Sequence, residues 1–356
     1  MDLALCIGAM QTIRACGCAR SSARTHGTRG KAMQDSEFPT EIPVVDIAGL
    51  ETGDDAVTQR VTAEIAQALE TVGFFWVVNH PVDWSIVTEA REAGLRFFRS
   101  PQPIKDAVAK PNGYDPGYAP DHVGFGREDK PASVNENWAM YNASLEARQP
   151  NRWPEVDSFQ EAIVGYVRAA TELSELLMRP LSLALGMPAD HFGSLFANPD
   201  NSLIMRYYPS SDYADGSAGI HTHSDGNFIT VLPDNEVPGL EVRVGPDAWI
   251  KAPPVPQGFI VNCGSVLRVF SNDRFLAAEH RVFNTTGRER IALPVFTMPT
   301  PGVVVEPVAG AVSPETPSTY EPIAYDPTAY QHGDDLSKVI RHHKSYEVTE
   351  DRVGVS

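Results

Sequence analysis

The chain has 356 residues, of which 42% are hydrophobic and 21% are charged, and its formal net charge at pH 7 is −17. This composition is typical of a globular protein with a sizeable core, and the acidic balance argues against a nucleic-acid partner because phosphates would be repelled. The sequence contains no run of about 18 consecutive apolar residues, so we expect no membrane-spanning helix and no membrane partner.

The first 36 residues differ from the rest of the chain. They are rich in Arg, Ser and Ala and poor in acids, which is typical of an organelle transit peptide, a disordered extension or an upstream start codon. The pair Cys16 and Cys18 favours free thiols over a metal site or a disulfide framework. We expect residues 1–36 to form a basic disordered tail or targeting segment, and the protein to be cytoplasmic unless residues 1–32 direct it to an organelle.

Strands and helices alternate in the first half of the remaining chain. The β-branched run at 42–47 predicts an opening strand, and the apolar run at 74–80 predicts a buried one. Apolar residues at helical spacing predict amphipathic helices over three segments: 54–72, 84–98 and 154–185. Residues 111–135 are rich in Gly, Pro and Asp without any period, which predicts a long surface loop of the kind that often forms a lid.

The second half of the chain has the pattern of short strands separated by turn signals. Predicted strands span 203–208, 228–232, 240–244, 258–263, 266–270, 280–284 and 291–298. This many short strands favour a sandwich or a barrel. The proline-rich segment 299–328 predicts irregular structure, and 334–343 predicts a last helix on the outside of the domain.

Two histidines and a carboxylate in the strand-rich half are candidate metal ligands. His223 and Asp225 lie two positions apart, so an extended segment would project both side chains from the same face. His280 follows much later, inside a predicted strand. Although an isolated His-x-Asp is more often part of a surface loop, a site of two histidines and one carboxylate with open coordination positions suits a non-haem iron(II) oxygenase.

An arginine follows the last of these histidines. Arg290 lies beyond the turn-like segment 285–287, and a hairpin there would bring its guanidinium close to the metal ligands. A guanidinium binds a carboxylate through two parallel hydrogen bonds, so Arg290 is a candidate partner for a small diacid. The alternative is an ordinary ion pair in the protein interior.

Several ordered motifs extend this pattern over most of residues 40–305. They are Ile-Pro-Val-Val-Asp at 42–46, Gly-Phe-Phe-Trp-Val-Val-Asn-His at 73–80, Arg-Tyr-Tyr-Pro at 206–209, His-Ser-Asp at 223–225, Ile-Thr-Val-Leu at 229–232, Gly-Leu-Glu-Val at 239–242, Val-Asn-Cys-Gly at 261–264, His-Arg-Val at 280–282 and Arg290. In this order the chain resembles the plant and microbial 2-oxoglutarate/iron(II) dioxygenases that include isopenicillin N synthase. Many members of this family act in secondary metabolism.

The resemblance implies a mainly β fold with flanking α-helices and a double-stranded β-helix (jelly-roll) core. It implies a single oxygenase domain at 37–320, which consists of an N-terminal α/β part at about 40–200 and the core at about 200–305. A helical extension follows at 321–356. The implied cofactors are Fe(II), O2 and the co-substrate 2-oxoglutarate.

The resemblance also assigns roles to individual residues. The implied iron ligands and catalytic residues are His223, Asp225 and His280. By the same resemblance Arg290 anchors the distal carboxylate of 2-oxoglutarate and Tyr208 faces the co-substrate or substrate. Phe296 matches an aromatic side chain of the substrate pocket, and Phe228 is a further candidate there.

Two positions depart from the family pattern. The usual Arg-x-Ser has Ala292 at its third position, and the usual Gly-Asp is Gly264-Ser265. The missing hydroxyl removes one hydrogen bond to 2-oxoglutarate, on the order of 1 to 2 kcal/mol. We therefore expect weakened, but not abolished, binding of the co-substrate.

The predicted activity is oxidation of a small-molecule metabolite by hydroxylation, desaturation or cyclisation, with release of succinate and CO2. No motif encodes the substrate, and we expect a monomer or a weak homo-oligomer. One alternative is an isopenicillin-N-synthase-like oxidase that does not use 2-oxoglutarate, and another is a non-catalytic binding module on the same fold. A third is a dinuclear zinc hydrolase, because 221–225 matches H-x-H-x-D, although that motif expects a histidine where this chain has Gly226.

Overall fold

The structure is a computed structural model that describes residues 38–112, 115–120, 135–142, 150–210 and 219–327. All of these residues belong to one of the two units into which the chain divides, Phe38–Ser356. The predicted N-terminal tail, most of the predicted lid and the predicted helix at 334–343 lie outside the described residues.

Three long helices, at 55–71, 84–98 and 159–184, match the predicted amphipathic segments closely, and three short helices were not predicted as helices. The helices are α1 (Asp55–Thr71), α2 (Trp84–Phe98), α3 (Gln102–Asp106), α4 (Phe159–Ala184), α5 (His191–Leu195) and α6 (Ser265–Phe270). Helix α1 begins after Asp54, whose carboxylate accepts hydrogen bonds from two backbone amides of the first turn. Chain reversal after α1 uses Gly73, which has a φ of +76°, a conformation that favours glycine.

The strands form two facing sheets and a small ribbon. They are β1 (Val44–Asp46), β2 (Phe74–Val78), β3 (Gly117–Ala119), β4 (Glu136–Tyr141), β5 (Ser202–Tyr208), β6 (Ile220–His223), β7 (Ile229–Pro233), β8 (Leu240–Arg243), β9 (Trp249–Lys251), β10 (Phe259–Cys263), β11 (His280–Val282), β12 (Arg290–Ala292), β13 (Val295–Thr297), β14 (Val304–Val305) and β15 (Ile323–Ala324). In the larger sheet the order is β1-β2-β10-β7-β13-β5-β4-β3, with β12 also paired to β5. The smaller sheet has the order β6-β11-β8-β9, and β14 pairs with β15.

Apolar side chains form one cluster on each face of the larger sheet. The helix-facing cluster includes Phe97, Tyr166 and Leu177 and packs helices α1, α2 and α4 against the sheet. The inter-sheet cluster contains Phe74 and Tyr208 from the larger sheet together with residues of the smaller sheet such as Val242 and Val282. This arrangement confirms the expected mainly β core with flanking helices and places the mouth of the barrel between the two sheets.

Several predicted elements are wrong in type or in pairing. The run predicted as a strand at 266–270 is helix α6, which begins after Gly264. Strands β11 and β12 do not form the predicted hairpin, because β11 pairs with β6 and β8 whereas β12 pairs with β5 in the other sheet. Part of the predicted loop at 111–135 is strand β3, which pairs with β4. Strands β4, β6 and β9 were not predicted.

None of the helices in the described segments is long and apolar enough to cross a membrane.

Candidate metal centre

Two adjacent strands of the smaller sheet bring the predicted ligands together. His223 is the last residue of β6 and is paired with His280, the first residue of β11. Asp225 follows two positions after His223, outside the strand. Its Oδ1 atom lies 3.8 Å from Nε2 of His223 and 3.7 Å from Nε2 of His280. The three potential ligand atoms lie within 4.8 Å of one another, as one small metal ion requires.

Backbone carbonyls orient both imidazole rings. Nδ1 of His223 lies 2.7 Å from the carbonyl oxygen of His221, and Nδ1 of His280 lies 3.2 Å from that of Ala278. Because a carbonyl oxygen only accepts hydrogen bonds, each Nδ1 carries the proton and donates. Each Nε2 atom then faces the centre of the cluster, which is the usual arrangement of metal-binding histidines.

The Asp225 carboxylate is held by side chains of the larger sheet. Its Oδ2 atom accepts hydrogen bonds from Asn262 Nδ2 at 2.8 Å and from Thr230 Oγ1 at 2.5 Å, which leaves Oδ1 to face the histidines. Ser265 donates to the backbone carbonyl of Asp225 through both its amide, at 2.8 Å, and its hydroxyl, at 3.0 Å. The loop that carries the carboxylate is therefore tied to β7, β10 and the start of α6.

A glycine is required where α6 begins. A Cβ atom on Gly264 would lie 1.9 Å from the carbonyl oxygen of Asn227, so a side chain there would push apart the two segments that support Asp225. Gly264, which follows the family pattern, keeps this close approach. Ser265, which departs from the family pattern, keeps a hydrogen bond to the Asp225 backbone.

Burial and the neighbouring groups set the protonation states of His223 and Asp225. Burial, with the nearby His280, lowers the pKa of His223 to about 4. Burial alone would raise the pKa of Asp225, but the two histidines and the hydrogen bonds from Thr230 and Asn262 outweigh it, so this pKa lies below its usual value. Near neutral pH His223 is uncharged and Asp225 is ionised, which are the states in which these groups bind metals.

Arg290 is buried with unused hydrogen-bonding capacity. It pairs in register with Tyr208, whose ring centre lies 4.9 Å from the guanidinium carbon. Its Nε donates to the carbonyl oxygen of Val237 at 3.2 Å, while Nη1 is buried and has no partner among the described residues. No described carboxylate lies within ion-pair distance of Arg290, so the alternative of an ordinary interior ion pair is not supported. A buried, unpaired guanidinium nitrogen fits a ligand carboxylate such as that of 2-oxoglutarate.

The two predicted substrate residues lie in different environments. Phe296 is half-buried and pairs in register with Thr230, so its ring projects from the face of the sheet that carries the Asp225 contacts. Phe228 is fully buried in the helix-facing cluster. Its ring contacts those of Phe192, Phe196 and Phe270. The structure therefore corrects the assignment of Phe228 to the substrate pocket: this side chain packs the core.

Sequence reasoning assigned no role to the residues that orient the cluster. Thr230 and Asn262 occurred only within family motifs, and both are buried polar side chains inside strands. A polar residue in an otherwise apolar strand is the signal that could have identified them, because a buried polar group requires a partner. Arg206 is likewise a polar residue within an otherwise largely apolar strand, β5.

Comparisons with known proteins agree with this geometry. The family model described as the 2OG-Fe(II) oxygenase superfamily matches residues 199–299, and the model described as the non-haem dioxygenase in morphine synthesis N-terminal domain matches 42–156. Jasmonate-induced oxygenase 2 of Arabidopsis thaliana is 32% identical over 305 residues, which cover 84% of this chain and 81% of that protein.

Solved structures give the same result. The crystal structure of JOX2 in complex with 2OG, Fe and JA superposes with a TM-score of 0.73 at 30% identity and covers 88% of this chain and 92% of that one. A full-length Neurospora crassa protein in complex with alpha-KG superposes with a TM-score of 0.76 at 20% identity, covers 88% of this chain and 98% of that one, and supports the fold.

The jelly-roll core and the cluster of two histidines and a carboxylate define a non-haem iron oxygenase. With the matches above, the chain belongs to the 2OG-Fe(II) oxygenase superfamily. It is an oxidoreductase that uses Fe(II), 2-oxoglutarate and O2 to oxidise a small-molecule metabolite.

Proposed function

We propose that one Fe(II) ion is held by His223, Asp225 and His280, and that the chain binds 2-oxoglutarate with Arg290 at the distal carboxylate. The observation that carries this assignment is the convergence of two histidine Nε2 atoms and one carboxylate oxygen within 4.8 Å. Three protein ligands leave coordination positions open for the co-substrate and for dioxygen.

Bound Fe(II) supplies the redox chemistry, in which dioxygen and 2-oxoglutarate are converted to succinate and CO2 as the substrate is oxidised. The protein itself performs the binding and the orientation. Asn262 and Thr230 hold the carboxylate of Asp225 through hydrogen bonds. Arg290 binds the distal carboxylate of 2-oxoglutarate, and the ring of Tyr208 packs against the guanidinium. The half-buried ring of Phe296 is proposed as part of the substrate pocket.

The substrate of this chain is proposed only as a small organic metabolite. Neighbouring structures in this superfamily are described as complexes with JA and with thymine, which differ in size and charge. Cytoplasmic location, a monomeric or weakly self-associating state and the division at about residue 200 into an α/β part and a core stay predictions.

The dinuclear zinc alternative has little support in this structure. Among the described residues, the cluster of potential metal ligands contains His223, Asp225 and His280 but not His221. The backbone carbonyl of that histidine accepts the hydrogen bond from His223. A second metal ion would need ligands that the described residues do not supply.

Metal loading and succinate release test the proposed function together. Apoprotein titrated with Fe(II) without oxygen should bind one ion per chain, and addition of 2-oxoglutarate and oxygen should release succinate. Screening small metabolites for faster succinate release would then identify substrates. Binding of two zinc ions, or equal oxygen consumption without 2-oxoglutarate and without succinate, would contradict the proposal; the second result would favour the oxidase alternative.

A further inference from the structure

A row of side chains crosses the larger sheet beside the metal centre. Arg206 on β5 is in register with Ala292 on β12 and with Asn137 on β4, which in turn pairs with Ala119 on β3. Residues in register project from the same face of a sheet. Arg206 also shares its face with Tyr208, two positions along β5, and Tyr208 lies in the inter-sheet cluster. The row therefore faces the interior of the barrel.

Lys110 extends this row at the edge of the sheet. Ala109 forms a parallel bridge with Tyr118, and the backbone amide of Lys110 donates to the carbonyl of Tyr118 at 2.8 Å. Lys110 is therefore next to Ala119. The charge of Arg206 lies close enough to lower the pKa of Lys110. Two cations thus lie in one row, separated by Ala119 and Asn137.

Arg206 and Lys110 are both partly buried. Both side chains retain partial access to solvent, yet burial is the main cause that lowers the pKa of each. Partial access combined with strong desolvation is expected for residues that line a cavity. Arg206 also contributes to the lowered pKa of His223, which shows that its charge lies close to the metal centre.

Neither cation has a matching anion in the described part of the chain. Arg206 Nη1 donates to the neutral side-chain oxygen of Asn135 at 3.2 Å, and no described carboxylate lies within ion-pair distance of Arg206 or Lys110. The negative charge of Asp115 favours protonated Lys110 from a longer distance. Desolvated cations without a paired anion are costly, and they persist at sites that bind one.

The charges of the proposed iron site leave these two cations uncompensated. The negative charges of the two carboxylates of 2-oxoglutarate and of Asp225 balance the positive charges of Fe(II) and Arg290. The charge of Asp225 favours protonated Arg206 from a distance, but that charge is already balanced in this set, and nothing else in the set offsets Arg206 or Lys110. The neighbours of the two cations in this row, Ala119 and Ala292, carry only methyl side chains.

We propose that Arg206 and Lys110 bind a carboxylate of the substrate, so that the metabolite oxidised here is an organic acid. The planar guanidinium fork suits a carboxylate, and the lysine adds a second charge-assisted hydrogen bond. The inference rests on the proposed function, because it places the substrate acid in the same barrel mouth as the iron and 2-oxoglutarate.

Matched acids and carboxamides test this inference. Wild-type protein loaded with Fe(II) and 2-oxoglutarate without oxygen would be titrated calorimetrically with hexanoate, cyclohexanecarboxylate, phenylacetate and naphthaleneacetate, each against its carboxamide. We expect at least one acid to bind more tightly than its amide. Arg206→Gln should weaken binding of that acid on the order of 10- to 100-fold and leave the amide unaffected, whereas Arg206→Lys should keep part of the preference.

Controls separate this inference from the proposed function. Lys110→Gln provides a second test at an edge position, and Arg288→Gln is the matched control because its side chain is 64% exposed. Arg288→Gln should bind both the acid and 2-oxoglutarate as the wild type does. If no acid is preferred by the wild type, or if Arg206→Gln and Lys110→Gln retain the preference, the inference is overturned while the proposed function stands. Loss of Fe(II) or 2-oxoglutarate binding by the wild type would instead overturn the proposed function.

Discussion

The amide of Asn262 donates to Asp225 Oδ2 at 2.8 Å, and thereby joins a strand of the larger sheet to a ligand carried by the smaller one. Asn262 sits on β10, in register with Thr230 on β7, and both side chains reach the same carboxylate oxygen. The orientation of the carboxylate thus depends on two adjacent strands that carry none of the proposed ligands.

Replacing Asn262 should weaken metal binding without removing a ligand. Asn262→Leu leaves Asp225 Oδ2 with one donor fewer, so the carboxylate loses orientation, and we expect Fe(II) affinity to fall about 10- to 100-fold. Competition with a chelator measures the affinity. Cys263→Ala is the control on the same strand, since Cys263 belongs to the helix-facing cluster. Equal Fe(II) affinities of Asn262→Leu and the wild type would show that Asn262 does not position the ligand.

Removing a histidine should abolish turnover while the fold is retained. His280→Ala deletes one of three ligands, so we expect no measurable succinate release and less than one iron bound per chain. Addition of Fe(II) at about 100 times the Kd should stabilise the wild type by about 2.7 kcal/mol and should not stabilise the variant. Thermal unfolding with and without metal measures this difference. His191→Ala, on helix α5, is the control, and full activity of His280→Ala would contradict the assignment.

The co-substrate assignment depends on Arg290. Arg290→Leu removes the charged partner of the distal carboxylate, which typically costs about 2 to 5 kcal/mol, so the KM for 2-oxoglutarate should rise by roughly 30- to 5,000-fold. Arg288→Leu, two positions away in an exposed ion pair with Glu236, should leave that KM unchanged. A KM that responds equally to both substitutions would exclude a specific role for Arg290.

The opposite change is expected at Ala292. Ala292→Ser restores the hydroxyl at the third position of the family motif, and a hydrogen bond to a charged acceptor contributes on the order of 1 to 2 kcal/mol. The KM for 2-oxoglutarate should therefore fall several-fold. Steady-state succinate release at varied 2-oxoglutarate checks the prediction, and an unchanged or higher KM would show that the hydroxyl does not reach the co-substrate.

Binding of acids should also depend on pH through Lys110. Burial and the charge of Arg206 lower the pKa of Lys110 to about 8, against the opposing effect of Asp115. The protonated lysine binds an anion, so affinity for a preferred acid should be constant below this pH and should fall as the pH rises through about 8. Lys110→Arg, whose guanidinium stays charged, should remove the decrease. The same decrease in the variant would assign the titration to another group.

The sequence was sufficient for the long amphipathic helices and for the cluster of His223, Asp225 and His280. Helices α1, α2 and α4 follow their apolar periodicity, because apolar residues at this spacing over a long segment fall on one buried face only when the segment is helical. The predicted strand at 266–270 failed because five apolar residues suit a buried strand and a buried helix equally well. Helix α6 is selected by its surroundings, namely the close approach of Gly264 to Asn227.

Pairing between distant strands was harder to predict from the sequence. After Ile220 the segment of β6 reads His-Thr-His, which has no apolar alternation, and His223 faces the metal centre. The hairpin predicted to carry Arg290 does not form, and the arginine reaches its position through β5, in register with Tyr208. That partner lies more than 80 positions earlier in the chain, and no local pattern encodes it.

The distribution of the centre over two sheets also has a consequence for the order of assembly during synthesis. Strand β10, which carries Asn262, pairs with β2 from the beginning of the domain, while His280 emerges later and joins β6. Contacts between such distant segments form slowly because a long loop must close first. The growing chain therefore cannot both assemble the three proposed ligands and hold Asp225 in its orientation until both sheets have closed, and we expect the rate of iron uptake by refolding protein to report one of the last steps of folding.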